Sequence, residues 1–470
     1  MAPISDNWPD TRASLEIMEE EYTSRIISMV NQLMPHYATI ESFATSLHPK
    51  RLPCRLITEH YTWGQSFLVF ELLFQDNTSW IIRFGMRPMD AYFNTAAQLE
   101  RKILNEVAAL HLVRQRTTIP VPEIIAYHAH PSPTNPLGPD FPAFVLMTAL
   151  QGMTIEDCGI AIHELSSGRE LDLVGDSLDH FAGDEHKRRI LQRYLRDIAD
   201  IHVQLSRITF DSIGSFKIDA SGEVSIGPGA DFGMGPFKSA KEYFALQAEA
   251  YEQLAMAAGL DDEADEGEIA DAAQLKRRFV ASLWRKTMMP LVDERDDHGP
   301  FPMRHGDLHS ENILVDDTGH IVGVLDWDCA GTVPWEAFAV PTFEVSGHFS
   351  DGDSDSASSI ISEESLMTPP PPPVRPVVHR AFNRELAAAE TQVGAGAVKP
   401  ASGRSLAALH DSNAGHVGAY LAYWMYSLAC DYDQTGRALH RMLGSDADID
   451  QDFQRFADEV GALDVPENEL

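Results

Sequence analysis

His305-Gly306-Asp307-Leu308-His309-Ser310-Glu311-Asn312 is the stretch on which the reading of this chain turns. An apolar approach, Phe301-Pro302-Met303, precedes it, and a β-like run, Ile313-Leu314-Val315-Asp316, follows. Nineteen positions after Asp307 a second acidic centre, Val324-Leu325-Asp326-Trp327-Asp328, ends another apolar run. Asp317-Thr318-Gly319 supplies a turn between the two runs, so the segment reads as strand, turn, strand. A carboxylate, an Asn five residues on and a second carboxylate across a hairpin are the working parts of a phosphoryl-transfer site.

Each residue type has a reason to be there. A hydroxyl is a poor nucleophile at neutral pH, and a carboxylate that orients it and takes its proton gains about 10²–10⁴ in rate. Asp307 is the candidate for that role. An isolated H-G-D would be only a capping turn; Asn312 and Asp326 at these intervals argue for catalysis. Both carry hard oxygen donors suited to Mg²⁺, which keeps waters and borrows oxygens from substrate phosphates. His305 is expected to orient the loop through its ring nitrogens. For His309 the spacing leaves two roles open, approach to phosphate or shaping of the loop. Trp327 is expected to pack the metal-binding turn.

Composition narrows the partners. With 470 residues the chain can support two domains or one bilobal unit. Its 36 basic and 71 acidic side chains give a net charge of −35. That balance argues against nucleic acid and against anionic membrane surfaces, and it permits cationic ligands to be steered in. The four cysteines, Cys54, Cys158, Cys329 and Cys430, are scattered without C-x-x-C spacing, so neither a disulfide framework nor a zinc site is expected. The N-terminus shows no secretory pattern, and the longest apolar stretch, 418–430, is shorter than a membrane-spanning helix needs. A cytoplasmic protein is the expectation.

Residues 1–45 carry helical spacing (Ile17, Tyr22, Ile26, Ile27, Val30, Leu33) and are expected to form a helical extension. Residues 67–74 and 79–84 read as a hairpin joined by Gln75-Asp76-Asn77-Thr78. An amphipathic helix is expected over 102–113, and two further strands over 123–127 and 144–148. Past Gly152 the pattern is mainly helical: Ile190, Tyr194, Ile198, Ile201 and Leu205 line one face of a long helix. Further helices are expected over 275–291 and 414–430. His202 falls on the long helix and is expected to be a packed core histidine. The order predicts an α+β fold with a strand-rich piece followed by a helix-rich piece. Residues 347–378, Ser/Asp/Glu-rich and then Pro369 to Pro373, are expected to be a disordered insertion, and the prolines could dock a protein partner.

The H-G-D-x-x-x-x-N motif followed by L-D-W-D resembles the aminoglycoside phosphotransferase family, a branch of the protein-kinase-like superfamily, and in particular a subgroup abundant in filamentous fungi. The likeness runs from about Cys54 to Trp335. It implies a bilobal protein-kinase-like α+β fold, with a small β-rich N-lobe (46–150) after the extension (1–45) and a larger, mainly helical C-lobe (151–470). It also implies ATP and Mg²⁺ as cofactors and a small-molecule hydroxyl acceptor. Arg83 stands where the family places a cation against the nucleotide phosphates, and Glu106 where it places that cation's partner. Met147-Thr148-Ala149-Leu150 resembles the hinge, where the carbonyl of Thr148 and the N–H of Leu150 would meet adenine. Gly64-Gln65-Ser66-Phe67 takes the position of the phosphate-covering loop, which assigns Gly64 and Ser66 to the nucleotide.

Two departures stand out. Arg83 replaces the usual Lys, and its planar fork cannot reproduce the same phosphate geometry. The covering loop holds the single Gly64. The expected activity is transfer of the γ-phosphoryl group of ATP to an alcohol, with a cationic acceptor compatible with the charge. Two other readings stay open: a nucleotide-binding pseudokinase or scaffold, and a protein kinase. Against the latter, Gly306 stands where protein kinases usually carry Arg, and no A-P-E ending follows Asp326. Asp431 and Asp433 are candidates to meet a cationic acceptor.

Overall fold

Residues 67–74 form a strand buried on both faces, and the rest of the first sheet is built around it. The computed structural model describes residues 3–16, 20–64, 66–86, 95–160, 162, 184–230, 233–247, 267–341, 377–396, 398–412, 414–415, 417–419, 436–443 and 448–463. The expected insertion, apart from its last two positions, lies outside them. So do Ile17, Gln65, Asp431, Asp433 and most of the helix expected over 414–430. Contacts group the chain into two units: residues 1–154, 215–234 and 311–330, and residues 155–214, 235–310 and 331–470. The division into an extension, an N-lobe and a C-lobe with the boundaries given above is kept as a proposal about functional lobes.

The first unit holds a five-stranded antiparallel sheet in the order β1-β2-β3-β5-β4, from Cys54–Trp63 (β1), Phe67–Phe74 (β2), Ser79–Gly85 (β3), Ile124–His128 (β4) and Phe144–Thr148 (β5). The β2–β3 hairpin runs in register from Phe67 opposite Gly85 to Leu73 opposite Ser79. Its turn is set by Asp76, whose Oδ1 accepts from the N–H and hydroxyl of Thr78, and by Asn77 at φ 62°. Because side chains alternate along a strand, Leu68, Phe70, Leu72 and Phe74 share one face. There they pack with Ile26, Leu33, Ile40 and Ala44 of the helices Glu20–Leu33 (α2) and Tyr37–Leu47 (α3), with a short 3₁₀ turn between them. The helical extension therefore covers one face of the sheet, preceded by the short helix Thr11–Glu16 (α1).

The opposite face, with Phe67, Val69, Ile81, Val145 and Met147, packs against Leu99 and Ile103 of helix α4, Ala96–Arg116. α4 is longer than the helix expected over 102–113. Thr95 and Gln98 form a capping box that starts it. Gln98, Lys102, Asn105 and Glu106 are all buried, so part of the helix's polar face lies inside and the apolar periodicity understates its length. Two hairpins complete this unit: Ser215–Ile218 with Val224–Gly227, and Ile313–Val315 (β10) with Ile321–Val324 (β11). The former strands are β7 and β8. The β10–β11 hairpin is fastened by a backbone bridge between Val315 and Met153 and by Val324 N donating to Pro120 O at 2.9 Å.

In the second unit three short strands, Gly331–Thr332 (β12), Phe301–Arg304 (β9) and Thr209–Phe210 (β6), pair antiparallel in that order. All four residues of β9 are buried, as the apolar approach to His305 requires. The long helix Glu185–Ser206 (α5) starts at Asp184, whose carboxylate accepts from Lys187 N. Its expected stripe is buried throughout. His202 is 3% exposed and stacks on Phe338 at 4.1 Å, a packed core residue as its position suggested. The helix Gly267–Met288 (α6), continued by a 3₁₀ turn to Leu291, accounts for the one expected over 275–291, and Phe279 meets Phe453 and Phe456 of a C-terminal helix, Ile449–Leu463. The helix Val377–Val393 packs on α5 and takes in Val377 and Val378, the last two positions of the segment expected to be disordered.

Candidate active site

Arg83 is held in place by strand alternation. It shares the α4-facing side of β3 with Ile81, between Val69 and Val145 on the neighbouring strands. Its guanidinium lies 4.1 Å from the Phe67 ring centroid. Nη1 donates to Glu106 Oε1 at 2.7 Å, and Nη2 donates to Asp326 Oδ1 at 3.1 Å. Glu106 is one turn beyond Ile103 on α4 and is 1% exposed. Burial lowers the proton affinity of Arg83, but the carboxylates of Glu106, Asp326 and Asp328 outweigh it and keep the guanidinium charged. Burial pushes Glu106 above the ordinary carboxylate range; Arg83 opposes the rise, and Asp326 and Asp328 add to it.

Asn312 and Asp326 flank one end of the β10–β11 hairpin, Asn312 just before β10 and Asp326 two positions after β11. Ile313 pairs with Val324, so the residues just beyond the pair face each other, and Leu325 N donates to Asn312 O at 2.8 Å. Asp326 then turns out of the strand with φ 59°, a left-handed conformation unusual outside glycine but tolerated by Asp. Its side chain is 41% exposed. Trp327 is fully buried beside it and donates Nε1 to Val324 O at 3.1 Å, packing the turn as expected. The accessible Asp326 carboxylate and the Asn312 amide are both hard oxygen donors, a chemistry that suits Mg²⁺ and suits softer metals poorly. Among the described residues no group of three or more His, Cys, Asp or Glu side chains could hold a metal.

The expected loop and hinge residues are also in this unit. Gly64 N donates to Phe67 O at 3.0 Å, and Ser66 O accepts from Met86 N at 2.8 Å, so both sit at the β1–β2 turn. A Cβ on Gly64 would meet nothing within 4 Å, so no packing contact demands glycine there. Thr148 ends β5, exchanging bonds with Glu123 through its N–H and hydroxyl at 2.9 Å each. Leu150 lies against Gly323 of β11, where an added Cβ would come within 3.0 Å of it.

Asp307 belongs to the second unit. Gly306 has φ 93°, which only glycine adopts freely, and so the chain turns sharply between His305 and Asp307. His305 is 1% exposed, and its Nδ1 accepts from Asp307 N at 3.2 Å, the loop-orienting contact its position suggested. His309 Nε2 lies 3.3 Å from Asp307 Oδ2. The Asp307 side chain is 30% exposed. Burial alone would raise its carboxyl, but the hydrogen bond from His309 and the charges of His309, His305 and Arg304 bring it below its ordinary value. The group is therefore an ionised acceptor at neutral pH.

Two polar residues beside the expected site had no role in the sequence reading. Asn105 and Lys102, both buried on α4, contact the segment just after Asp326. The only sequence signal was three polar residues, 102, 105 and 106, at helical spacing inside an otherwise apolar stretch.

The sequence profile of the APH phosphotransferase enzyme family matches residues 58–336, more than half of the chain. The chain belongs to that family. A search of curated proteins finds no match. Similar solved structures include a thermostable mutant of aminoglycoside phosphotransferase APH(4)-Ia in ternary complex with ADP and hygromycin B, at 13% identity. It is matched over 87% of this chain and 99% of that one, with a TM-score of 0.39. Macrolide 2'-phosphotransferase MphH from Brachybacterium faecium, as apoenzyme, is 14% identical over 87% of this chain and 98% of its own, with a TM-score of 0.38. The GDP and kanamycin complex of APH(2")-IIia is 14% identical over 86% and 92%, with a TM-score of 0.37. The family assignment rests on the profile match. Among the described residues no helix is long and apolar enough to cross a membrane.

Proposed function

We propose that this protein transfers the γ-phosphoryl group of Mg²⁺-bound ATP to a hydroxyl of a small molecule. The observation that carries the reading is the fork of Arg83, which bonds Glu106 with one nitrogen and Asp326 with the other, Asp326 following directly on the Leu325 that bonds the backbone of Asn312. A buried cation, its buried acidic partner and an accessible oxygen donor are what a nucleotide triphosphate and its metal require.

Asp307 orients the acceptor hydroxyl and takes its proton as the oxygen attacks phosphorus; its lowered proton affinity keeps it ready at neutral pH. Asn312 and Asp326 would hold Mg²⁺, which when bound neutralises charge on the phosphate oxygens. Arg83 adds a fixed positive charge toward the phosphates, and Glu106 keeps its fork from swinging. Gly64 and Ser66 would lie over the phosphates, and the backbone of Thr148 and Leu150 would meet the adenine. The net charge of −35 is compatible with a cationic acceptor.

The test is ADP release over a panel of hydroxylated amines, sugars and peptides, with Asp307→Asn as control. Small-molecule turnover that disappears in the variant supports the reading. Nucleotide binding without turnover on any acceptor favours the scaffold alternative, and turnover on peptides alone favours a protein kinase. Full-rate turnover in Asp307→Asn removes Asp307 as the base.

A further inference from the structure

Asn105, one residue before Glu106 on α4, has no part in the chemistry just described, yet it is 1% exposed and fully engaged. Its Nδ2 donates to the carbonyls of Asp328 at 2.8 Å and Ala330 at 2.7 Å. Its Oδ1 accepts from Phe216 N at 2.7 Å. One side chain thus joins three separate segments: helix α4, the turn that follows Asp326, and strand β7. One turn earlier, Lys102 Nζ lies 3.8 Å from Asp328 Oδ2, with both side chains about nine-tenths buried. The i, i+3, i+4 spacing puts Lys102, Asn105 and Glu106 on a single helix face.

We propose that Asn105 is a positioning residue for Asp326, setting where that carboxylate stands relative to the helix that carries Glu106. The inference rests on the phosphotransferase reading above and deepens it. Asp326 occupies a left-handed backbone conformation, and such a residue stays there only when its surroundings over-determine it. The bonds from Leu325 N to Asn312 O, from Trp327 Nε1 to Val324 O and from Ala330 N to Trp327 O are internal to the hairpin and its turn. They shape the turn without referring it to α4. Arg83 links the Asp326 side chain to Glu106 and Lys102 approaches the Asp328 side chain; Asn105 adds the link from α4 to the backbone of the turn, through carbonyls two and four residues past Asp326. Groups that orient metal ligands commonly change metal affinity about 10–100-fold when removed.

A matched control exists in the same unit. Asn135, in the β4–β5 connection, is 5% exposed, donates Nδ2 to the carbonyls of Phe141 and Pro142, and accepts from Leu137 N. Asn→Asp at either position removes the same donors and keeps the acceptor. Full-length wild type, Asn105→Asp and Asn135→Asp would each be titrated with Mg²⁺ in the presence of a fluorescent ATP analogue, and their melting temperatures recorded without ligand. Both variants should melt lower than wild type. Only Asn105→Asp should need roughly ten times more Mg²⁺ or beyond for half-maximal nucleotide binding. Equal Mg²⁺ requirements in the two variants would overturn the positioning role and leave Asn105 a structural amide. If Asn105→Asp does not fold, Asn105→Ser, which retains one donor, is measured against the same criterion. A wild type that binds no nucleotide at any Mg²⁺ concentration would instead refute the phosphotransferase reading, and this inference with it.

Discussion

Arg83 Nη2 lies 3.1 Å from Asp326 Oδ1, although the two residues are 243 positions apart in the chain. The same guanidinium holds Glu106 at 2.7 Å, so one cation balances two carboxylates. Arg83→Met should therefore destabilise the fold by about 3–5 kcal/mol at pH 8, because Glu106 would be left buried without its partner, holding an uncompensated charge or taking up a proton to lose it. Arg83→Met/Glu106→Leu should recover most of that loss in urea unfolding. The deficit should also depend on pH. Burial raises Glu106 and Arg83 opposes the rise, so the single variant leaves it higher still. A carboxyl whose folded proton affinity exceeds its unfolded one loses stability as pH climbs from the unfolded value to the folded one. The variant should be closer to wild type at pH 5 than at pH 8; equal deficits at both would contradict the ion-pair account.

Asp307→Asn should reduce turnover by about 10²–10⁴ with nucleotide binding intact. Since His309 helps hold Asp307 below its ordinary value, activity in acid should persist until the pH falls beneath the usual carboxylate range. His309→Ala removes a lowering partner and should move the acid limb of kcat/KM to higher pH. A profile that does not move would assign His309 to loop shape alone.

At Asp326 the backbone and the carboxylate can be separated. Both Asp326→Gly and Asp326→Ala remove a partner of Arg83, but glycine suits φ 59°, so Asp326→Ala should be less stable than Asp326→Gly by about 1 kcal/mol. Both should lose Mg²⁺-dependent nucleotide binding. Retention of that binding in either variant would take Asp326 out of the metal site.

Gly64→Ala offers a test of the covering loop. With nothing within 4 Å of the new methyl group, folding stability should be unchanged or raised by about 0.4–1 kcal/mol. If phosphate approaches the backbone there, the methyl group should weaken nucleotide binding several-fold. Unaltered affinity by calorimetry would remove Gly64 from the site.

Glu71, fully buried on β2, accepts hydrogen bonds from Ser5 N at 2.8 Å, Ser5 Oγ at 2.7 Å, Ile4 N at 3.1 Å and Ser79 Oγ at 2.5 Å. It latches the N-terminus to the sheet. Glu71→Gln should cost on the order of 2–4 kcal/mol, since a donor then faces donors. Hydrogen exchange should quicken at Ile4 and Ser5. Unchanged protection there would mean the extension is held by its apolar face alone.

Much of this was readable before any coordinates. The β2–β3 hairpin announced itself through β-forming residues on either side of an Asp-Asn turn, and the α5 stripe through 3.6-residue spacing. The H-G-D-x-x-x-x-N segment stood out as a candidate site because its residues lie within a few positions of one another along the chain. Harder to see was the true start of α4 at Ala96, because Gln98, Lys102, Asn105 and Glu106 look like a solvent-facing side and are in fact buried. Asn105 and Glu71 were passed over for the same reason: a polar residue does not declare whether its partner is water or a distant backbone group.

What the chain order alone determined is whatever depends on near neighbours: strand alternation, turn chemistry, helix periodicity and the spacing of Asp307, Asn312 and Asp326. Only the folded protein decided that Arg83 answers to two carboxylates, that Glu71 secures the N-terminus, and that Asn105 grips the turn behind Asp326. Those pairings join residues 23 to 243 positions apart. Packing selects them, since a buried polar group must find its partner among whatever the two faces of the sheet bring within reach.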